Sequence, residues 1–244
     1  MKKKPRLPNL TDTRRVGVLG WMFDPIHIGH IAAGTSAQAA LRLDQVVLVP
    51  SSWPPHRSAQ PEAGPDDRLQ MARIVAQSQK TWDVSVTEIT RVGKSYTFDT
   101  LTALQERGQT PDKIGQLPES FFFILGADAF AEIESWSRYP QVLDLAHFVV
   151  ISRPGNALAE LGNKLPSLSA RMTTPDAFLA GPKRETTSII LIEATTPLVS
   201  STLIRRRVAR GESIFGLVPA EIDAYIRERH LYAVAREGPP LAGR

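Results

Sequence analysis

Short apolar, β-branched runs alternate with Ala- and Leu-rich stretches along most of the chain, and this alternation leaves few folds open. Val16-Gly17-Val18-Leu19 reads as a buried strand ending at Gly20. The stretch His30 to Leu43 is rich in helix formers, and Val46-Val47-Leu48-Val49 follows, stopped by Pro50. Strand, helix and strand in so short a span form a βαβ unit, which implies a parallel sheet. The pattern recurs. Helices are expected over Asp66 to Gln79 and Thr97 to Arg107, strands over Phe121 to Leu125 and Phe148 to Ile151. A further strand, Ile189 to Ile192, precedes a helix over Ser201 to Ala209, and a last short helix runs from Pro219 to about Arg229. The Pro-, Ser- and Gly-containing stretch Asn156 to Glu185 reads as a surface crossover with at most one helix. The expected architecture is a single doubly wound α/β domain over residues 16–232, a parallel sheet with helices on both faces. Ligands of such sheets bind beyond the carboxyl ends of the strands.

Composition supports a globular body. Of 244 residues, 42% are hydrophobic and 22% charged, enough for a core and against dominant disorder. The absence of cysteine excludes disulfides, thiolate zinc sites and a cysteine nucleophile. There is no apolar run long enough for a membrane helix, and no apolar segment follows the basic start to make a signal peptide, so a cytoplasmic protein with no membrane partner is expected. The net charge of +4 is a local matter: residues 1–15 carry six basic side chains against Asp12, and the remainder sums to −1. Residues 1–15 are thus expected to be a solvated basic arm and residues 233–244 a loose tail; a nucleic-acid partner is not expected.

The chemistry-bearing residues follow the apolar runs. After the first comes Gly20-Trp21-Met22-Phe23-Asp24-Pro25-Ile26-His27-Ile28-Gly29-His30. Two histidines three apart at a helix mouth face nearly the same way. Unpaired N–H groups and the positive dipole end make that mouth attractive to phosphate, and Gly29 permits close approach. Late in the chain, Val199-Ser200-Ser201-Thr202-Leu203-Ile204-Arg205 offers hydroxyls ahead of a helix and a guanidinium able to hold phosphate. By itself this second stretch reads equally well as a plain helix cap followed by a basic solvated face.

Together the two stretches resemble the nucleotidyltransferase superfamily that shares a His-x-Gly-His signature and a Ser-Ser-Thr-x-x-Arg element. Between them lie Pro54-Pro55-His56-Arg57, Arg91-x-Gly93-x-Ser95-Tyr96-Thr97-x-Asp99-Thr100-Leu101, Gly126-Ala127-Asp128 with Trp136 eight residues on, and Arg153-Pro154-Gly155. In this order they resemble bacterial nicotinate mononucleotide adenylyltransferases, and the likeness runs from Val16 to about Tyr232. The resemblance implies a Rossmann-like fold, with ATP and nicotinate mononucleotide as substrates and Mg²⁺ entering with ATP. It implies catalytic roles for His27, His30 and Arg205, and ATP contacts from Gly20, Phe23, Gly29, Ser200, Ser201, Thr202 and Asp128. It assigns Ser95, Tyr96, Thr97, Trp136, Arg57 and Arg153 to the acceptor, with Trp136 stacking on the pyridine ring. No metal-binding residue is implied, and self-association is left open. On their own terms Trp136 and Tyr96 also fit core packing, and Asp128 a helix cap. Glu88 and Glu134 suggest no role; His147 and His230 read as structural.

The first loop departs from the family. Trp21 stands where a second glycine is usual and Met22 where a hydroxyl is usual, and Arg57 replaces a lysine. A tryptophan is costly there if the backbone needs φ > 0, and obstructive if the ligand passes close. Two rivals follow: transfer to another phosphate, such as nicotinamide mononucleotide or phosphopantetheine, or nucleotide binding without turnover. An aminoacyl-tRNA synthetase, which shares the His-x-Gly-His signature, is disfavoured by the lack of a Lys-Met-Ser-Lys-Ser loop and by chain length.

Overall fold

The expected strands pair into one seven-stranded sheet in a computed structural model that describes residues 13–52, 60–91, 93–108, 119–152, 158–182 and 186–233. The strands are β1 (Arg14–Trp21), β2 (Gln45–Pro50), β3 (Trp82–Val84), β4 (Glu119–Gly126), β5 (His147–Ser152), β6 (Met172–Thr173) and β7 (Ile189–Glu193). Their order is β3-β2-β1-β4-β5-β7-β6, and every pairing is parallel. The helices are α1 (Ile28–Leu41), α2 (Pro65–Gln77), α3 (Thr97–Gly108), α4 (Ala127–Ala131), α5 (Leu158–Lys164), α6 (Pro175–Ala180), α7 (Ser201–Ala209) and α8 (Ala220–Glu228). None of the described helices is long and apolar enough to cross a membrane.

Alternation along the central strands explains the helices on both faces. Leu19, Phe122 and Ile124 point into one core with Ala33, Ala37 and Leu41 of α1, Met71 and Val75 of α2, and Ile222 and Ile226 of α8. Val16, Val18, Phe121, Phe123 and Leu125 point into the other with Leu101 and Leu104 of α3, Phe130 of α4 and Leu161 of α5. The order reverses between β1 and β4, so the segments that leave their carboxyl ends run to opposite faces, α1 to one core and α4 to the other, and leave the crevice in which such sheets take ligands.

Two expectations are corrected. Arg14 and Arg15, assigned to the arm, open β1, and the Arg15 guanidinium donates to the Leu41 carbonyl. The stretch 156–185 holds two helices, a 3₁₀ turn and β6, because Leu161, Leu165, Leu168 and Phe178 bury between its polar residues. β3 is too short to give an apolar run, yet Trp82 anchors it under α1. Trp136 lies in no helix; it follows a 3₁₀ turn in extended conformation.

Candidate active site

His27 and His30 cap the first helix with one another. The His27 Nδ1 accepts the Gly29 N–H at 3.1 Å, and the His30 Nδ1 accepts the His27 N–H at 3.2 Å. The pair does what Ser and Glu do in a capping box, satisfying two of the orphan donors of a helix N-terminus. With each Nδ1 spent as an acceptor, the proton of a neutral ring sits on Nε2. The rings stack 3.7 Å apart at 20°. Both side chains are buried, which holds His27 down to about 4 and His30 well below its ordinary value, where the neighbouring His27 adds to the effect. The site therefore presents neutral imidazoles with Nε2–H donors, not imidazolium ions. A side chain at Gly29 would crowd the His27 ring and Val199: a Cβ there would stand 3.0 Å from His27 Cε1 and 3.1 Å from Val199 Cγ1.

The loop that carries the pair is fastened from every side. Asp24 is buried; Oδ1 accepts the Ala63 N–H and the Tyr232 hydroxyl, and Oδ2 accepts the Glu62 N–H. Its carboxylate pushes the Tyr232 hydroxyl further against ionisation, after burial as the main cause. Arg68, fully buried in α2, donates to the carbonyls of Met22, Ala63, Ser51 and Ser52. From α7, the Ser201 hydroxyl donates to the Pro25 carbonyl at 2.9 Å and Arg205 Nη1 to the Asp24 carbonyl at 2.8 Å. Arg205 Nε also pairs with the exposed Glu62 at 2.6 Å.

His27, Gly29, His30 and Asp128 share one cleft of about 290 Å³ at the carboxyl end of the sheet, closed by Trp21, Gly126, Ile151, Ser152 and Val199 among others. Asp128 is exposed in the first turn of α4; the helix is capped at Gly126 with no side-chain bond, so Asp128 is not its N-cap. Gly20 sits under the Phe123 ring, and Phe23 is buried with φ of 50°. Ser200 caps α7 by accepting the Leu203 N–H, and Thr202 is exposed in its first turn.

The acceptor residues are more scattered. Ser95 is buried and accepts the Ser52 N–H, while Tyr96 and Thr97 are half-buried at the start of α3. Trp136 is half-buried, edge-on to Phe123 at 6.2 Å and to Phe148 at 6.5 Å. Arg57, with its Pro-Pro-His partners, and Arg153 fall outside the described residues. Glu88, which the sequence left without a role, is buried beside this segment; its carboxylate accepts the Thr100 hydroxyl at 2.6 Å, and burial raises its pKa. His147 is structural: its Nδ1 accepts the Ser188 N–H, and its ring stacks on Phe122. His230 is exposed just past α8, with φ of 51°.

Residues 18–207 match the cytidylyltransferase-like family, a class of nucleotidyltransferase. A probable nicotinate-nucleotide adenylyltransferase of Desulfatibacillum aliphaticivorans is 38% identical over 226 residues, spanning 89% of this chain and 99% of the relative. One from Roseiflexus sp. strain RS-1 is 39% identical over 217 residues, spanning 89% and 97%. The chain belongs to the nicotinate-nucleotide adenylyltransferase family. In fold it is similar to Plasmodium falciparum nicotinic acid mononucleotide adenylyltransferase complexed with NaAD, with a TM-score of 0.65 at 16% identity, covering 90% of this chain and 97% of that one.

Proposed function

We propose that this chain transfers the adenylyl group of ATP to the 5′-phosphate of nicotinate mononucleotide, releasing pyrophosphate and forming deamido-NAD. The observation that carries the reading is the reciprocal cap, which leaves two neutral Nε2–H donors beside a helix N-terminus in the cleft. The acceptor phosphate is anionic near neutral pH, so the reaction needs no protein base. Its barrier is electrostatic: negative charge grows on the α-phosphate and on departing pyrophosphate, and preorganised N–H donors stabilise it. His27 and His30 supply those donors without the desolvation cost of a buried cation. The α1 amides add their dipole.

Arg205 and Ser201 serve first by holding the loop, through Asp24 and Pro25. Arg205 reaches the triphosphate when its Nε exchanges exposed Glu62 for a phosphate oxygen. Mg²⁺ is part of the MgATP substrate; two imidazole N–H donors for phosphate oxygens and one carboxylate, Asp128, to accept from ribose hydroxyls do not make a cage for a hard cation. Ser95, Tyr96, Thr97 and Trp136 frame the pyridine end. The reaction belongs in the cytoplasm, where ATP and mononucleotides are supplied.

The test is pyrophosphate release from MgATP with nicotinate mononucleotide, nicotinamide mononucleotide and phosphopantetheine in parallel. Turnover fastest with the nicotinate form is the expected result. Release only with another acceptor, or none with any, overturns the reading.

A further inference from the structure

Trp21 closes β1, paired with Pro50 of β2, and the left-handed backbone in this loop falls two residues later, at Phe23. The tryptophan therefore carries no backbone strain, and its effect lies in its ring. That ring lines the cleft with His27, His30 and Asp128. Its centroid is 5.3 Å from His30, tilted at 45°. His30 meets two other rings: Phe23 edge-on at 5.2 Å and His27 face-on at 3.7 Å. Phe23 is wholly inside the core, at 1% exposure, whereas Trp21 is only half-buried. Of the rings bracing His30, Trp21 is thus the one with apolar aromatic surface left for a ligand. Trp136, the other candidate ring, is packed against Phe123 and Phe148 and is not among the described residues that wall this cleft.

We propose that Trp21 contacts the bound nucleotide, its indole forming an aromatic wall that favours a ring-bearing phosphate ester over a bare polyphosphate seated on the same N–H donors. The inference rests on the adenylyl-transfer reading. Its physical basis is that a half-buried π-face gains from a nucleoside, while a polyphosphate chain offers it neither ring nor apolar area. The histidine Nε2–H groups and the dipole of α1 serve both ligands alike. Trp21 therefore adds selectivity for the nucleoside to a site that otherwise recognises phosphate.

The experiment measures equilibrium binding of ATP and of inorganic tripolyphosphate, each with Mg²⁺ and without acceptor, to the wild type, Trp21→Phe and Trp21→Leu. Leucine keeps apolar bulk beside the core but removes the aromatic face; phenylalanine keeps a smaller face. Trp21→Leu should weaken ATP about tenfold and leave tripolyphosphate within twofold, with Trp21→Phe between wild type and Leu. Nucleotide should also quench part of the wild-type tryptophan emission, and that part should vanish in Trp21→Phe. Unchanged or tighter ATP binding by Trp21→Leu overturns the proposal and makes the ring an obstruction. Equal losses for both ligands overturn it too, because the ring would then act only by bracing His30. Wild-type turnover is read separately: failure to release pyrophosphate while ATP still binds defeats the functional reading and leaves the Trp21 comparison intact.

Discussion

Acidifying the nucleotide-free protein should cost it stability through His27. Burial holds the folded imidazole to about 4, against 6.5 for the unfolded chain. Between those values the unfolded state binds the proton and the folded state does not, so stability falls as pH falls. The slope approaches ~1.4 kcal/mol per pH unit. Integrated from pH 7 to pH 5, the loss is about 2 kcal/mol, a large share of the roughly 5–15 kcal/mol that holds a domain together. At 6% exposure the ring is shielded enough for this to stand as an order of magnitude. His30, depressed first by burial and then by His27, adds in the same direction. The assay is urea unfolding at both pH values for the wild type and His27→Asn. Asparagine keeps an acceptor at the N-cap and does not titrate. The wild type should lose about 2 kcal/mol more than the variant over this interval. Parallel losses would refute the reasoning, since the imidazole would then titrate as in water and burial would not be what holds it neutral.

Three further outcomes follow from the geometry. His30→Ala should lower kcat by about 10²–10³ in the pyrophosphate assay while circular dichroism at pH 7 still reports a folded chain; a kcat within threefold contradicts the donor role. Arg68→Met leaves the Met22, Ala63 and Ser51 carbonyls without their buried donor, so denaturant titration should show a loss of at least about 3 kcal/mol. Gly34→Ala would stabilise an ordinary helix by about 1 kcal/mol, but here the new Cβ falls 2.5 Å from Trp82 Cη2. Overpacking decides the sign, and the melting temperature should fall by the equivalent of about 1–3 kcal/mol.

Much of the fold is legible because burial leaves a local trace. The runs at Val16, Val46, Phe121, Phe148 and Ile189 are strands buried on both faces, and such strands read as continuous apolar segments. The histidine pair is legible for a similar reason, since its spacing and its helix lie together in the sequence. Long-range polar contacts leave no such trace. Nothing near Tyr232 indicates that its hydroxyl meets Asp24, or near Arg68 that it donates to Met22. β3 is missed because three residues have no usable period, and β6 because it has two. Trp21 is readable as a departure but not as a wall of the cleft, because which way the ring turns depends on His30 and its neighbours.

The fastening of the histidine loop also sets an order of events. The loop belongs to the first thirty residues, yet Ser201, Arg205, Leu217 and Tyr232 supply several of its anchors. A ribosome delivers the first βαβ unit long before those anchors exist. The nascent amino-terminal half can therefore fold its strands and set the two imidazoles against one another, while the loop at Asp24 and Pro25 waits for the far end of the chain to close over its beginning. The site is thus completed by residues that lie beyond position 200.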